Sequence, residues 1–219
     1  MCGRFALETT EDFYVRFGIA NRLDALTPRY NIAPGTLVPV VVRPSPNRVV
    51  LMRWGLIPHW AKDAKAGYKM INARVETLTQ RAAFRGLLRA QRCLVPASGF
   101  YEWKQEGRGK MPYYIHPKAG VFVAFAGLYD MWTSPEGEEI VTFTIITKDA
   151  DPAVAAVHSR MPVILAREAE EAWLDPHLTR TEDVLALLAE PPSDELEAYP
   201  VSRRVNAARD DDPSLVQRA

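Results

Sequence analysis

The sequence is poor in the residues that build disulfide and metal sites. Its 219 residues hold two cysteines and four histidines. Cys2 and Cys93 cannot make a disulfide framework. There is no Cys-x-x-Cys, His-Glu-x-x-His or acidic calcium loop, and His59, His116 and His177 lack ligand spacing. No metal is therefore expected. A glycine-rich phosphate loop is missing as well, which argues against a nucleotide cofactor. No run approaches the roughly 18 apolar residues of a membrane span. The start, Met-Cys-Gly-Arg-Phe, lacks the basic stretch and apolar core of a signal peptide. These absences suggest a reducing cytoplasm, with no membrane and no cofactor. Nor is there an excess of one charge. Basic and acidic residues number 27 each, so the chain as a whole is not a polybasic DNA binder.

What is present reads as an ordinary globular chain. It is 47% hydrophobic and 25% charged, which excludes a disordered, collagen-like or coiled-coil protein. Its length suits one domain over 1–219, large enough to bury a core without staples. Charge is unevenly spread. Residues 62–110 carry a local +7 and residues 166–199 a local −8. One reading is a basic face for a phosphate backbone; the other is two solvated faces of a neutral protein.

Turn signals divide the chain into short elements. Thr9-Thr10 before Glu11 and Asp12 reads as a helix start, with Gly18 as its stop. Leu37–Arg43 and Arg48–Trp54 read as a hairpin around Pro44-Ser45-Pro46-Asn47. Leu78–Ala90 has helical spacing. Arg92–Trp103, Pro112–Ile115, Val121–Tyr129 and Ile140–Thr147 read as strands. Asp151-Pro152 opens a helix running to about His158, and Met161–Leu165 reads as a strand. Arg167–Leu174 and Thr181–Leu188 are acidic amphipathic helices, and the tail from Pro191 reads as irregular. Trp54 and Trp132 are expected in the core. The class is α+β: a strand-rich, largely antiparallel core, either a curled sheet or an open barrel, with helices outside.

Cys2 is the most informative position. Once Met1 is removed, its α-amine and thiol share one residue, with reference pKa values of about 8 and 8.5. Such a 1,2-aminothiol condenses with an aldehyde to an imine, and the thiol then closes a thiazolidine ring. Either group alone could serve as an N-terminal nucleophile. An incidental cysteine near a terminus is the competing reading. Arg4 is a fixed charge two residues away, suited to phosphate. In Phe100-Tyr101-Glu102-Trp103, an extended backbone puts Phe100 and Glu102 on one face and Tyr101 and Trp103 on the other. A carboxylate among aromatics suits general acid–base work. His158 lies where a helix ends and a strand begins, with a reference pKa near 6.5. Asn72-Ala73-Arg74 offers an amide and a guanidinium within the basic stretch.

These residues fall in a series of blocks. The series runs from Met1-Cys2-Gly3-Arg4 through Tyr30-Asn31-Ile32-Ala33-Pro34, Trp54-Gly55-Leu56-Ile57-Pro58 and Asn72-Ala73-Arg74-Val75-Glu76. It continues with Arg92-Cys93-Leu94-Val95-Pro96, Gly99-Phe100-Tyr101-Glu102-Trp103, Ala126-Gly127-Leu128-Tyr129 and Thr144-Ile145-Ile146-Thr147. It ends with His158-Ser159-Arg160-Met161-Pro162 and Pro200-Val201-Ser202. In content and order the chain resembles the SOS-response-associated peptidase (SRAP) family of abasic-site processing proteins.

The resemblance implies covalent attachment to abasic sites in single-stranded DNA, whose ring-opened sugar carries an aldehyde. It makes Cys2 the nucleophile, Glu102 a proton shuttle, His158 the helper of sugar ring opening, and Asn72 the residue positioning Cys2 and sugar. It places Arg4, Arg74 and Arg160 on phosphates and Tyr68 and Trp103 against neighbouring bases. No second subunit or obligate protein partner is implied, and a monomer is expected. The family's older name carries an alternative, a thiol peptidase or amidohydrolase using Cys2, including removal of Met1. A noncovalent single-strand binder is a third reading.

Overall fold

Hydrophobic alternation and turn residues lay down twelve strands and five short α-helices among the described residues. The computed structural model describes residues 2–7, 11–43 and 46–219. Thr9-Thr10 and the Pro44-Ser45 half of the expected turn lie outside these. In chain order the elements are β1 (Phe5–Leu7), α1 (Glu11–Arg16), β2 (Arg29–Ile32), β3 (Leu37–Val42), β4 (Arg48–Trp54), β5 (Asn72–Arg74) and α2 (Ala82–Arg85). There follow β6 (Arg92–Ala97), β7 (Gly99–Glu106), β8 (Gly109–Pro117), β9 (Val123–Thr133), β10 (Glu139–Asp149) and α3 (Pro152–Ala155). The chain closes with β11 (Arg160–Pro162), α4 (Arg167–Leu174), α5 (Thr181–Ala189) and β12 (Leu196–Pro200).

Five strands close on themselves in the order β10-β4-β3-β6-β9, with β9 returning to β10. The expected curled sheet is therefore a closed ring, which leaves it no free edge. β11 and β5 extend β10 beyond the ring. Most pairings are antiparallel, but β10 runs parallel to β4 and to β5. Those parallel pairs join residues some 70 to 90 positions apart, so no local pattern announces them. The second sheet has the order β12-β8-β7-β1-β2 and is antiparallel throughout.

Several expected elements differ. Arg92–Trp103 is two strands in different sheets, broken at Ser98, whose N–H donates to the Ala6 carbonyl. Gly99 marks the crossing: a Cβ there would lie 2.5 Å from the Tyr114 ring and 2.7 Å from the Ile115 carbonyl. Leu78–Ala90 is not one helix but α2 followed by a 3-10 turn at Leu87–Arg89. Phe84, Leu87 and Leu88 are buried regardless, so the apolar spacing is met while Gly86 interrupts the regular ladder. The tail is more ordered than expected. β12 pairs with β8 over five residues, and 3-10 turns form at Arg203–Asn206 and Pro213–Val216. Trp54 and Trp132 are core residues, as expected.

An aromatic layer fastens the two sheets together. Phe5 of β1 meets Trp54 of β4 at 5.1 Å and Phe125 of β9 at 5.9 Å, both edge-on. Phe100 of β7 meets Phe125 in the same way. Edge-to-face pairs of this kind contribute roughly 0.5–1.5 kcal/mol each beyond area burial. The opposite face of β7 holds Tyr101, which packs with Tyr114, Val201, Val205 and Leu215.

Candidate active site

The N-terminus is threaded between two strands. β1 pairs with β2 through Phe5↔Ile32 and with β7 through Phe5↔Phe100 and Ala6↔Gly99. The Tyr101 N–H donates to the Arg4 carbonyl at 3.0 Å, and one further step in this register brings Gly3 opposite Glu102. Cys2 is wholly buried. Its thiol makes a long contact, 3.9 Å, to the Arg4 carbonyl. Burial pushes the thiol well above its ordinary value, and the Glu102 charge pushes the same way. The thiol is therefore protonated at neutral pH.

Glu102 shares the face of Phe100 and is 2% exposed. Its Oε1 lies 3.9 Å from Nδ1 of His158, within ion-pair range when the imidazole is protonated. His158 follows α3, and its N–H still donates to the Val154 carbonyl. Its ring is set by Arg160, whose N–H donates to Nδ1 at 3.0 Å. That bond assigns the neutral ring's proton to Nε2. The two groups come from different sheets, so the site lies at their seam.

The barrel's extension supplies the third wall. In parallel register with β10, Asn72 lies opposite Ile145 and Arg74 opposite Thr147. On the other side of β10, β11 sets Pro162 opposite Thr147 and Arg160 opposite Asp149. Among the described residues, both amide atoms of Asn72 and the Thr147 hydroxyl are buried without a hydrogen-bond partner. An unmet buried polar group costs about 1–3 kcal/mol, so such groups point to something that binds there. Thr147 belongs to a block the sequence singled out but was given no role there; its unmet hydroxyl, like that of Thr144 on the same strand, now marks it.

The expected DNA-contact residues differ in state. Arg74 is exposed and makes no ion pair among the described residues. Arg160 is engaged: Nη1 lies 2.6 Å from both Glu76 Oε1 and Asp149 Oδ1, and Nη2 donates to the Thr147 carbonyl. Two carboxylates thus cancel its charge, and the guanidinium holds Glu76 below the usual carboxylate range. Arg4 donates to Asn31 Oδ1 and to the Val205 carbonyl, and Trp103 Nε1 donates to Asn206 Oδ1. Both are anchored by the Arg203–Asn206 turn of the tail, whose part in the site sequence reasoning missed.

Tyr68 is 67% exposed on the 3-10 turn Ala64–Lys69. That turn lies hard against β4's end because Gly55 and Gly67 meet. A Cβ on Gly55 would come within 2.8 Å of the Gly67 carbonyl, and Gly55 has φ +120°. The structure thus joins Cys2, Glu102 and His158 in one cluster. Asn72, Arg74 and Arg160 stand beside it on the β10 extension, with Arg4 and Trp103 on the tail side and Tyr68 on its own turn. Among the described residues no group of three metal-ligating side chains occurs, and no helix is long and apolar enough to cross a membrane.

The chain as a whole is similar to known proteins. The chain is 43% identical over 222 residues to the abasic site processing protein YoqW of Bacillus subtilis, covering 99% of both. It is 37% identical to the abasic site processing protein HMCES of Gallus gallus, over 86% of this chain and 66% of that one. A crystal structure of a Bacteroides thetaiotaomicron protein superposes with a TM-score of 0.88 at 31% identity, covering both chains fully. The family model described as SOS response associated peptidase (SRAP) matches residues 1–208. The chain belongs to that family.

Proposed function

We propose that this protein processes abasic sites in single-stranded DNA by capturing them covalently through Cys2. The observation that carries the reading is the burial of Cys2 beside Glu102, with His158 3.9 Å from that carboxylate. Removal of Met1 by hydrolysis frees the Cys2 amine. As the sugar ring opens to its aldehyde, the ring oxygen takes up the proton released by the anomeric hydroxyl, and the His158 Nε2–H hydrogen-bonds that oxygen. The amine adds to the aldehyde carbon, and loss of one water leaves an imine. Glu102 relays the protons of these steps. The thiol then adds across the C=N bond; its sulfur takes the carbon and its proton passes to nitrogen, closing a thiazolidine. The step is redox-neutral.

The protonated state of the thiol sets the order. A buried thiol is a poor first nucleophile, whereas the amine, with a reference pKa of about 8, keeps a useful neutral fraction near neutral pH. Asn72 offers its amide to the sugar and the Cys2 amine. Arg74, exposed and without an ion pair among the described residues, holds a phosphate directly; Arg160 holds one as the phosphate displaces Glu76 or Asp149, and Arg4 with the donors its bonds to Asn31 and Val205 leave over, while Tyr68 and Trp103 abut neighbouring bases. A thiol peptidase would need a thiolate at Cys2, which the apolar burial opposes, so that activity ranks second. The chemistry needs no second subunit.

The test is a denaturing gel of boiled samples. Protein lacking Met1 is mixed with labelled single-stranded DNA carrying one abasic site, beside an undamaged strand and Cys2→Ala. A slow band that requires both Cys2 and the lesion is the expected result. Its absence from protein with a free N-terminal cysteine would remove the proposal and favour hydrolytic assays.

A further inference from the structure

A second basic feature lies away from the Cys2 cluster. Arg85 of α2 and Arg89 of the following turn line a cleft of about 380 Å³, together with Thr79, Gly86 and Thr181. Arg85 and Arg89 are exposed, and so is Arg81 one turn earlier. None of the three makes an ion pair among the described residues. Across the cleft, Asp183 of α5 is paired to Arg180 at 3.5 Å, and Glu182 makes no ion pair with either cleft arginine. This contrasts with Arg160, which two carboxylates neutralise. Free guanidiniums beside two threonine hydroxyls are a donor-rich, acceptor-poor lining, and such a lining selects phosphate oxygens. No aromatic residue lines the cleft, so it offers no platform for stacking bases.

The cleft is tied to the candidate active site by a run of local hydrogen bonds. Thr77 Oγ1 donates to the Arg74 carbonyl, the Arg81 N–H to the Thr77 carbonyl, and the Arg85 N–H to the Arg81 carbonyl. Arg74 and Arg85 are eleven residues apart in sequence, so at most about 40 Å separates them. A strand arm of about twelve nucleotides covers that distance even at the roughly 3.4 Å per nucleotide of a stacked duplex strand.

We infer that the Arg85–Arg89 cleft is a second DNA site, which grips backbone phosphates of the strand arm leaving the lesion and does so without reading bases. The inference rests on the DNA-processing reading, but its test does not depend on crosslinking. Binding of an undamaged oligonucleotide of about thirty residues is titrated against salt for wild type, Arg85→Ala/Arg89→Ala and Arg85→Lys/Arg89→Lys. The alanine pair is expected to bind about tenfold more weakly at low salt. The slope of log K against log salt should fall by about 0.7 for each phosphate no longer neutralised, about 1.4 in all. The lysine pair should keep most of both. Crosslinking to a probe of about three nucleotides with a central abasic site should proceed at the wild-type rate in all three proteins.

An unchanged affinity and slope in the alanine pair would overturn the inference. If wild type failed to crosslink the short probe, the proposed function would fall while the salt titration still judged the cleft. A check on wild type alone guards against a misfolded variant. The long oligonucleotide should shield Arg85 and Arg89 from phenylglyoxal, read by mass spectrometry. Equal shielding by inorganic phosphate at matched ionic strength would make the cleft a small-anion site and refute the DNA assignment.

Discussion

Replacing Asn72 by leucine should make the protein more stable and chemically disabled at once. Both amide atoms of Asn72 are buried without a partner. Leucine has the same branching at Cγ, is somewhat larger, and has nothing to leave unpaired. An unmet buried polar group costs about 1–3 kcal/mol, so losing the amide should stabilise the fold by about 2 kcal/mol. In a chain of this size each kcal/mol moves Tm by about 2–4 °C, which gives a rise of about 4–8 °C in a calorimetric melt. The same variant should crosslink an abasic probe at least about tenfold more slowly, because the sugar and the Cys2 amine lose a positioning group. Asn72→Ala separates the two effects: it leaves a cavity, gains no stability and crosslinks as poorly. A leucine variant that melts at or below the wild-type temperature would refute the reasoning. It would mean that the amide is already satisfied and is not held in readiness for a ligand.

Three further expectations are quicker to check. Glu102→Gln should slow covalent capture by roughly 10²–10⁴-fold, timed on the denaturing gel; an unchanged rate would leave Glu102 a structural role only. Burial pushes the Cys2 and Cys93 thiols above their ordinary value of 9.0, so the folded chain keeps protons that the unfolded chain releases. Their contribution to stability is full below about pH 9 and is lost as pH rises beyond it; melts across about pH 8–11 should show this decline, less steep in Cys93→Ala. Gly99→Ala would put a methyl 2.5 Å from the Tyr114 ring and 2.7 Å from the Ile115 carbonyl, and should cost about 1–3 kcal/mol in a denaturant titration.

The sequence revealed chemistry better than connectivity. Alternation along Phe100–Trp103 correctly separated the face of Phe100 from that of Tyr101 and Trp103, because that pattern is local. The seam was not legible, since it depends on the chain changing sheets at Ser98 and on β5 lying parallel to β10. The Leu78–Ala90 segment shows how far apolar spacing reaches: it located the buried Phe84, Leu87 and Leu88 but not the hydrogen-bond pattern of the turns that bury them. Asn72 and His158 could be singled out as residue types with useful chemistry. That the Asn72 amide is unmet, or that Glu76 and Asp149 neutralise Arg160, follows from neighbours brought in by long-range pairing. The tail's service to Arg4 and Trp103 was hidden for the same reason.

The full burial of Cys2 bears on how the protein ages. A protein that forms a lasting adduct uses its nucleophile once, so the residue has to survive intact until a lesion arrives. Peroxides and other soft electrophiles attack thiolates, and susceptibility follows exposure and thiolate character. In the chain that carries Met1, Cys2 offers neither: it is wholly covered, and both burial and the Glu102 charge keep it protonated. The side chain that makes the reagent is thereby stored in reduced form. Damage that oxidises the surrounding cell, and generates the lesions themselves, reaches this sulfur late.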